Sequence, residues 1–316
     1  MEFSIKKIEK IISELPQMTN VSILAVQVNS SKRTGMDYVS EQILLDKKEN
    51  VAKYLNDIEQ YYRKKDYTCV EPYTGDKNAE AIYFLSTEDP LIQEEYTRLL
   101  NATVTSDCEN EDIIFSGNAS MVKGELIDVN NEPHFISLLT YKKPYTVLNH
   151  KYTFDKPNIQ FGKQKTFKPI TEKVVNLQIY FDILVYDETL FFFNLNGEKF
   201  FSLERSFKKI CEDCIQNVVN SNIIKNVDYF AENAKKGHNP RRFLLFDSEA
   251  LSDLMNLEKR RDIASSFHIK LADDKFLIES NEDCTKLIKL LCKKGMLDPF
   301  SENAMEVSSA KKWEDN

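Results

Sequence analysis

The sequence predicts an α+β protein: a small N-terminal α/β part, then an antiparallel or mixed sheet core with C-terminal helices packed on it. Three observations lead there. Helix-period and strand-period runs alternate over the first hundred residues. The most apolar run, 176–201 (NLQIYFDILVYDETLFFFNLNGEKFF), holds two strand-like stretches separated by Asp187-Glu188. Beyond it, apolar positions recur at helical spacing.

In chain order, Phe3, Ile5, Ile8, Ile11, Ile12 and Leu15 lie at helical spacing, and Pro16 marks the stop. Residues 21–28 (VSILAVQV) read as a strand. Residues 47–65 read as a helix with Val51, Tyr54, Leu55, Ile58, Tyr61 and Tyr62 on its apolar side. Cys69-Val70 and 81–85 (AIYFL) are strand-like. Asp89-Pro90 opens a helix through Leu100, an Asp cap followed by proline at the first helical position. The polar, acidic stretch 101–118 reads as a linker or exposed loop. It divides the chain into an N-terminal α/β domain, 1–105, and an α+β domain, 106–316, with its central hairpin at 176–201.

Strand signals follow at 120–129, 134–141 and 174–195. Leu177, Ile179, Phe181, Ile183 and Val185 alternate with Gln178, Tyr180, Asp182, Leu184 and Tyr186, which predicts a strand with one buried face. Residues 189–195 are apolar on both faces, completing a hairpin at the centre of a sheet. Asn196-Gly197 is a further turn signal, because both residues tolerate positive φ. Ser202 is a plausible cap for a helix burying Phe207, Ile210, Cys211, Cys214, Ile215 and Val218. A short helix at 227–234, a strand or helix at 242–246, one or two helices at 248–265, a short strand at 276–279 and a helix at 281–292 complete the reading.

Hydrophobic and charged contents of 42% and 29% fit a soluble globular chain. The longest apolar runs are about a strand in length, short of the roughly 18 residues that span a bilayer. The N-terminus alternates charged and apolar residues, unlike a signal peptide. Six scattered cysteines fit a reducing cytoplasm. A net charge of −8 argues against a chain coated in positive charge for nucleic acid, but it leaves room for a local basic surface.

Few residues carry a catalytic pattern. Cys211 and Cys214 form a C-x-x-C pair inside an amphipathic helix, without the second pair that structural zinc requires, and read as core thiols. A redox motif would start its helix at the first cysteine. His134, His150, His238 and His268 show no i,i+4 pairing. A metal-dependent nuclease would set an acid on one strand and Asp/Glu-x-Lys on the next. Asp182 supplies the first, but Glu198-Lys199 has the wrong spacing, and Asp273-Asp274-Lys275 falls in a turn. No catalytic residue, metal or cofactor is expected.

The stretch 141–173 is different. Its eight lysines, Lys142, Lys143, Lys151, Lys156, Lys163, Lys165, Lys168 and Lys173, face only Asp155 and Glu172, which leaves the stretch near +6. Tyr141, Tyr145, Tyr152, Phe154, Phe161 and Phe167 are interleaved. Lysines attract phosphates without reading bases, and aromatics stack on unpaired bases. Contact with about five phosphates would give log K against log salt a slope of about −4.5 on duplex DNA. A second basic cluster runs from Lys235 to Arg241 and Arg242, with Lys259, Arg260 and Arg261 beyond it. Charge reasoning thus selects Lys142, Lys143, Lys151, Lys163, Lys165, Lys168, Arg241 and Arg242 as DNA-binding candidates. Solvated loop lysines are the plain alternative.

From about residue 120 to the end, the chain resembles a known family. The stretches FDILVYDETLFFFNLNGEKFFSLERSFKK and LIKLLCKKGMLDPFSENAMEVSSAKK are similar to the DUF4868 family, the KwaB-like proteins of the Kiwa anti-phage system. One departure stands out: the family tends to carry an aromatic before the Glu of its "FE..F" element, whereas Gly197 precedes Glu198 here, with Phe200 and Phe201 kept. The resemblance implies a bacterial defence protein that binds DNA beside a KwaA-like integral membrane protein, blocking phage DNA function without a recognised catalytic motif. The expectation is a non-enzymatic, cytoplasmic effector, a homodimer or higher homo-oligomer held at the membrane's inner face by its partner. A nuclease of unfamiliar signature and a purely protein-binding module are the alternatives.

Overall fold

The computed structural model describes residues 3–31, 35–43, 48–74, 80–102, 117–142, 145–146, 174–175, 177–293, 295–297 and 304–306. The chain forms two compact units, one of residues 1–72 and 78–202, the other of 73–77 and 203–316. The fold is α+β, as the sequence predicts.

The first unit is built on an eight-stranded sheet. Its elements are α1 (Ile5–Glu14), β1 (Thr19–Ser31), β2 (Gly35–Ile43), α2 (Lys48–Tyr62), β3 (Cys69–Pro72), β4 (Ala81–Ser86), α3 (Gln93–Ala102), β5 (Ala119–Ile127), β6 (Pro133–Thr140), β7 (Tyr145–Thr146), β8 (Val174–Val175), β9 (Ile183–Tyr186) and β10 (Thr189–Phe192). The strand order is β2-β1-β5-β6-β9-β10-β4-β3, with β7 and β8 paired apart from it. β3 and β4 run parallel and the other neighbours antiparallel, so the sheet is mixed. Strands from either side of residue 105 share this sheet, and residues 103–116, where a boundary was expected, lie outside the described residues.

Strand alternation sends side chains to two apolar faces. On one, Ile23, Ile82, Val122, Ile136, Leu138, Leu184 and Phe191 pack against Ile8, Ile11, Ile12 and Leu15 around α1 and Leu55, Ile58 and Tyr62 of α2. Ser4 caps α1 by accepting the Lys7 N–H, and Pro16 sits in the 3₁₀ turn that ends it. The alternate residues Leu24, Val26, Met121, Leu139, Ile183, Leu190 and Phe192 are buried on the other face. There Ser40 Oγ donates to the Ala102 carbonyl at 2.8 Å, tying β2 to α3. Burial on both sides explains the unbroken apolar run 190–193.

The hairpin β9–β10 lies in the middle of the sheet, with Asp187 in its turn at φ 51°. Its first strand begins later than the alternation predicts. Residues 177–182 satisfy much of their backbone with side chains instead. The Gln178 carbonyl accepts the Tyr54 hydroxyl at 2.8 Å, the Tyr180 carbonyl accepts Thr140 Oγ1 at 3.0 Å, and the Tyr62 hydroxyl both accepts the Phe181 N–H and donates to the Phe181 carbonyl. Tyr62 also stacks on Phe181 at 4.2 Å between ring centroids. The apolar alternation marks neither a ladder nor one buried face here: Phe181 is buried, but Ile179 is exposed.

Gly197 lies in a 3₁₀ turn, Leu195–Phe200, and its φ is not positive. Its value is space: a Cβ would come within 2.5 Å of Ile183 Cγ1 and 3.2 Å of Phe192 Cδ1. The same contact leaves no room for an aromatic side chain at this position.

The second unit is largely helical: α4 (Leu203–Asn220), α5 (Val227–Ala234), α6 (Asn239–Arg242), α7 (Ser248–Met255), α8 (Leu257–Ser266) and α9 (Asn281–Leu291), with a small ribbon of β11 (Leu271–Ala272) and β12 (Lys275–Phe276). Cys211, Phe230, Phe243, Phe276, Leu287 and Ile288 are among its core residues. Asn256 ends α7 and caps α8, which divides 248–265 into two helices. A full capping box at Ser280 and Asp283 starts α9. Residues 239–245 are helical rather than extended. Ser202, expected as a cap for α4, has φ 50° instead of the extended backbone usual for an N-cap.

Candidate nucleic-acid interface

The lysine-rich stretch leaves the sheet at the end of β6 and returns just before the hairpin. β7 and β8 pair antiparallel, Tyr145 with Val175 and Thr146 with Val174, so its two ends run side by side. Lys142 is described; Lys143, Lys151, Lys163, Lys165 and Lys168 lie outside the described residues.

Near the root of the lysine-rich stretch the fold assembles a stripe of Lys65, Tyr61, Tyr180 and Lys142 from distant parts of the chain, and at Tyr141, next to Lys142 in sequence, a separate pair with Lys199. Lys65 Nζ sits 4.9 Å from the Tyr61 ring centroid. The Tyr61 and Tyr180 rings are 6.0 Å apart. Lys142 Nζ lies 5.8 Å from the Tyr180 ring and donates to Gln178 Oε1 at 3.2 Å. Lys199 Nζ lies 5.4 Å from the Tyr141 ring and donates to Asn196 Oδ1 at 3.2 Å. The three lysines are exposed and the three rings half-buried. Among the described residues none of these lysines forms an ion pair. Their charge is held against ring faces and amide oxygens, which attract a cation without cancelling it.

Each position follows from the fold. Tyr61 lies half-buried at the end of α2, beside Tyr62, which is fixed on Phe181. Tyr180 precedes Phe181 in the segment that α2 holds, so the two tyrosines meet. Lys199 comes from the tight turn that Gly197 permits. Sequence reasoning found Lys142 and Tyr141 but not Lys65, Tyr61, Tyr180 or Lys199. Tyr61 does lie on the apolar side of α2, packed against the core, and its remaining half-exposed surface has no sequence signal.

Asp182 lies beneath the stripe and is 1% exposed. Its Oδ2 accepts the Tyr141 N–H at 2.6 Å, fixing the point where the lysine-rich stretch departs. Burial pushes its carboxyl above the ordinary range; the Tyr141 N–H, the Asn194 amide and the Lys199 charge act in the opposite sense. A carboxyl raised by desolvation and committed to a backbone N–H is a structural acceptor. Glu198 is also buried. Among the described residues, no group of three or more His, Cys, Asp or Glu side chains stands ready to hold a metal ion.

In the second unit the basic clusters have other company. Lys236 pairs with Glu232 at 2.6 Å, Lys259 with Asp253 at 2.5 Å and Arg261 with Asp274 at 2.7 Å. Arg260 is buried and donates to the carbonyls of Leu254, Met255 and Asp274. Of the two arginines selected from sequence, Arg241 lies 4.8 Å over the Phe207 ring and Arg242 donates to Asn239 Oδ1 at 2.7 Å. Asp273 and Asp274 stand at φ 52° and 61° in the β11–β12 turn. Cys211 and Cys214 are core residues whose thiols burial pushes up to about 12 and about 11, so both are protonated at neutral pH.

Fold and stripe together define a mixed-sheet α+β protein with a basic, aromatic-lined surface at the root of its lysine-rich stretch. The chain belongs to the KwaB-like family: the family model described as "Kiwa protein KwaB-like" matches residues 120–294, more than half of the chain. It is a component of a Kiwa anti-phage defence system. The match takes in β5 to β10 and the helices of the second unit, whereas β1 to β4 precede it. No curated protein and no solved structure matches the chain. No helix among the described residues is long and apolar enough to cross a membrane.

Proposed function

We propose that this protein is the DNA-holding effector of its Kiwa system: it binds DNA through the lysine-rich stretch and the stripe at its root, blocks phage DNA function without cutting it, and works as a homo-oligomer beside a KwaA-like integral membrane protein. The observation that supports DNA binding is the lysine–tyrosine stripe. Exposed ammonium groups without an ion pair among the described residues supply phosphate attraction, and an overall charge of −8 confines that attraction to a local surface. The surroundings of Asp182 favour a non-enzymatic reading, because the carboxyl serves the Tyr141 N–H.

The test reverses Lys163, Lys165 and Lys168 to Glu and titrates DNA binding against salt. The reading expects a large loss of affinity and a shallower salt slope. Unchanged affinity and slope would exclude this stretch as the main surface. Cleavage of plasmid or linear DNA with Mg²⁺ or Mn²⁺, abolished in Asp182→Asn, would establish a nuclease instead.

A further inference from the structure

We infer that the stripe is built for unpaired bases, so that the preferred DNA form is a single strand or an opened end. This rests on the DNA-binding reading above and adds the form of the ligand. A duplex offers a protein its phosphates, its sugars and the edges of stacked bases; its base faces are covered. Tyrosine faces among exposed lysines add little to such a ligand. An unpaired strand offers a π-face at every base and a phosphate between successive bases, and proteins that take it combine a positive groove with aromatic platforms.

The stripe has both components, two neighbouring rings flanked by two lysines. Lys65, Tyr61, Tyr180 and Lys142 follow one another at 4.9, 6.0 and 5.8 Å, and Tyr141, next to Lys142 in the chain, has Lys199 5.4 Å from its ring. The rings are held in place in advance. Tyr61 meets Tyr62 edge-on at 5.1 Å, and Tyr141 meets Phe200 edge-on at 5.6 Å. The rings therefore need little further ordering, and a base that stacks on one displaces the lysine lying over it toward the strand's phosphates. Burial pushes the phenols of Tyr141 and Tyr180 up, so these rings stay neutral and do not repel phosphate.

The experiment compares an oligothymidine with a blunt duplex of equal length at matched salt. It uses the full chain, a Tyr61→Leu/Tyr180→Leu variant, and a Tyr61→Phe/Tyr180→Phe variant that keeps the rings. The inference expects tighter binding of the single strand, a loss of roughly ten-fold per ring in the leucine variant on that ligand alone, and full retention in the phenylalanine variant. Photocrosslinking of an iodouracil-substituted single strand to the unaltered protein supplies an independent arm, expected at Tyr61, Tyr141 or Tyr180. Equal or tighter duplex binding, insensitive to the tyrosines but sensitive to Lys163, Lys165 and Lys168, would overturn this inference and leave the DNA-binding reading standing. Binding of neither form would overturn both.

Discussion

In the first unit, Lys65, Lys142 and Lys199 set their ammonium groups against tyrosine rings or amide oxygens. In the second, Lys236, Lys259 and Arg261 set theirs against Glu232, Asp253 and Asp274. As letters the two sets look alike, basic residues with aromatics or acids not far off. Their electrostatic consequences differ. An ion pair largely cancels its own field beyond a few ångströms, and salt screens the remainder. A lysine over a ring keeps its field. The lesson is that a basic cluster counts toward phosphate binding by what its cations lean on, and that only the fold supplies this information.

The sharpest way to break the comparison is at Arg260. It is buried and serves three carbonyls, so Arg260→Met leaves those acceptors unpaired and should cost about 3 kcal/mol, read as a lowered denaturation midpoint. DNA affinity of the folded fraction should not change. A loss of affinity larger than the loss of folded protein would place DNA contacts in the second unit.

Next comes the support beneath the stripe. Asp182→Ala removes the acceptor of the Tyr141 N–H and should cost about 1–3 kcal/mol. Asp182→Asn keeps an acceptor and should cost nothing at neutral pH. Because burial raises this carboxyl in the folded state, the native protein binds its proton more tightly than the unfolded chain. Stability contributed at this site therefore falls as pH rises from the ordinary carboxylate range through the raised folded value. The asparagine variant should lose that slope; urea melts at several pH values would show it.

Of similar size is the expected effect of Gly197→Ala. The new Cβ meets Ile183 Cγ1 at 2.5 Å, and local shifts should cost about 1–3 kcal/mol, toward the lower end if Ile183 changes rotamer. Lys199 rides on the same turn, so DNA affinity should fall with it. The smallest effect belongs to Lys259→Gln with Arg261→Gln. These exposed pairs should contribute less than about 1 kcal/mol to stability, and nothing to DNA affinity.

Much of the fold was legible because alternation and helical spacing report burial directly. Residues 21–28, 47–65, 81–85 and 227–234 became the elements they predicted, and 176–201 does hold the central hairpin. The pattern went astray where burial and hydrogen bonding part company. Residues 177–182 alternate like a strand, yet Tyr54, Thr140 and Tyr62 take their backbone groups. Gly197 reads as a turn glycine, yet it is needed for the approach of Ile183. The interface was half legible. A run such as 141–173 shows its charge in one glance, and Lys142 falls within it. Lys65, Tyr61 and Lys199 come from separate elements, and no local pattern could join them before α2 was docked on Phe181.

The central claim is that the phosphate-binding charge lies in the stripe of the first unit. Its most direct test is the salt dependence of single-strand binding for Lys65→Gln/Lys142→Gln/Lys199→Gln, set against Lys236→Gln/Lys259→Gln/Arg261→Gln. The account predicts that the first variant lowers the magnitude of the log K against log salt slope by about 2, at about 0.7 per phosphate contact, while the second leaves it unchanged. A slope unchanged in the first and reduced in the second would contradict it.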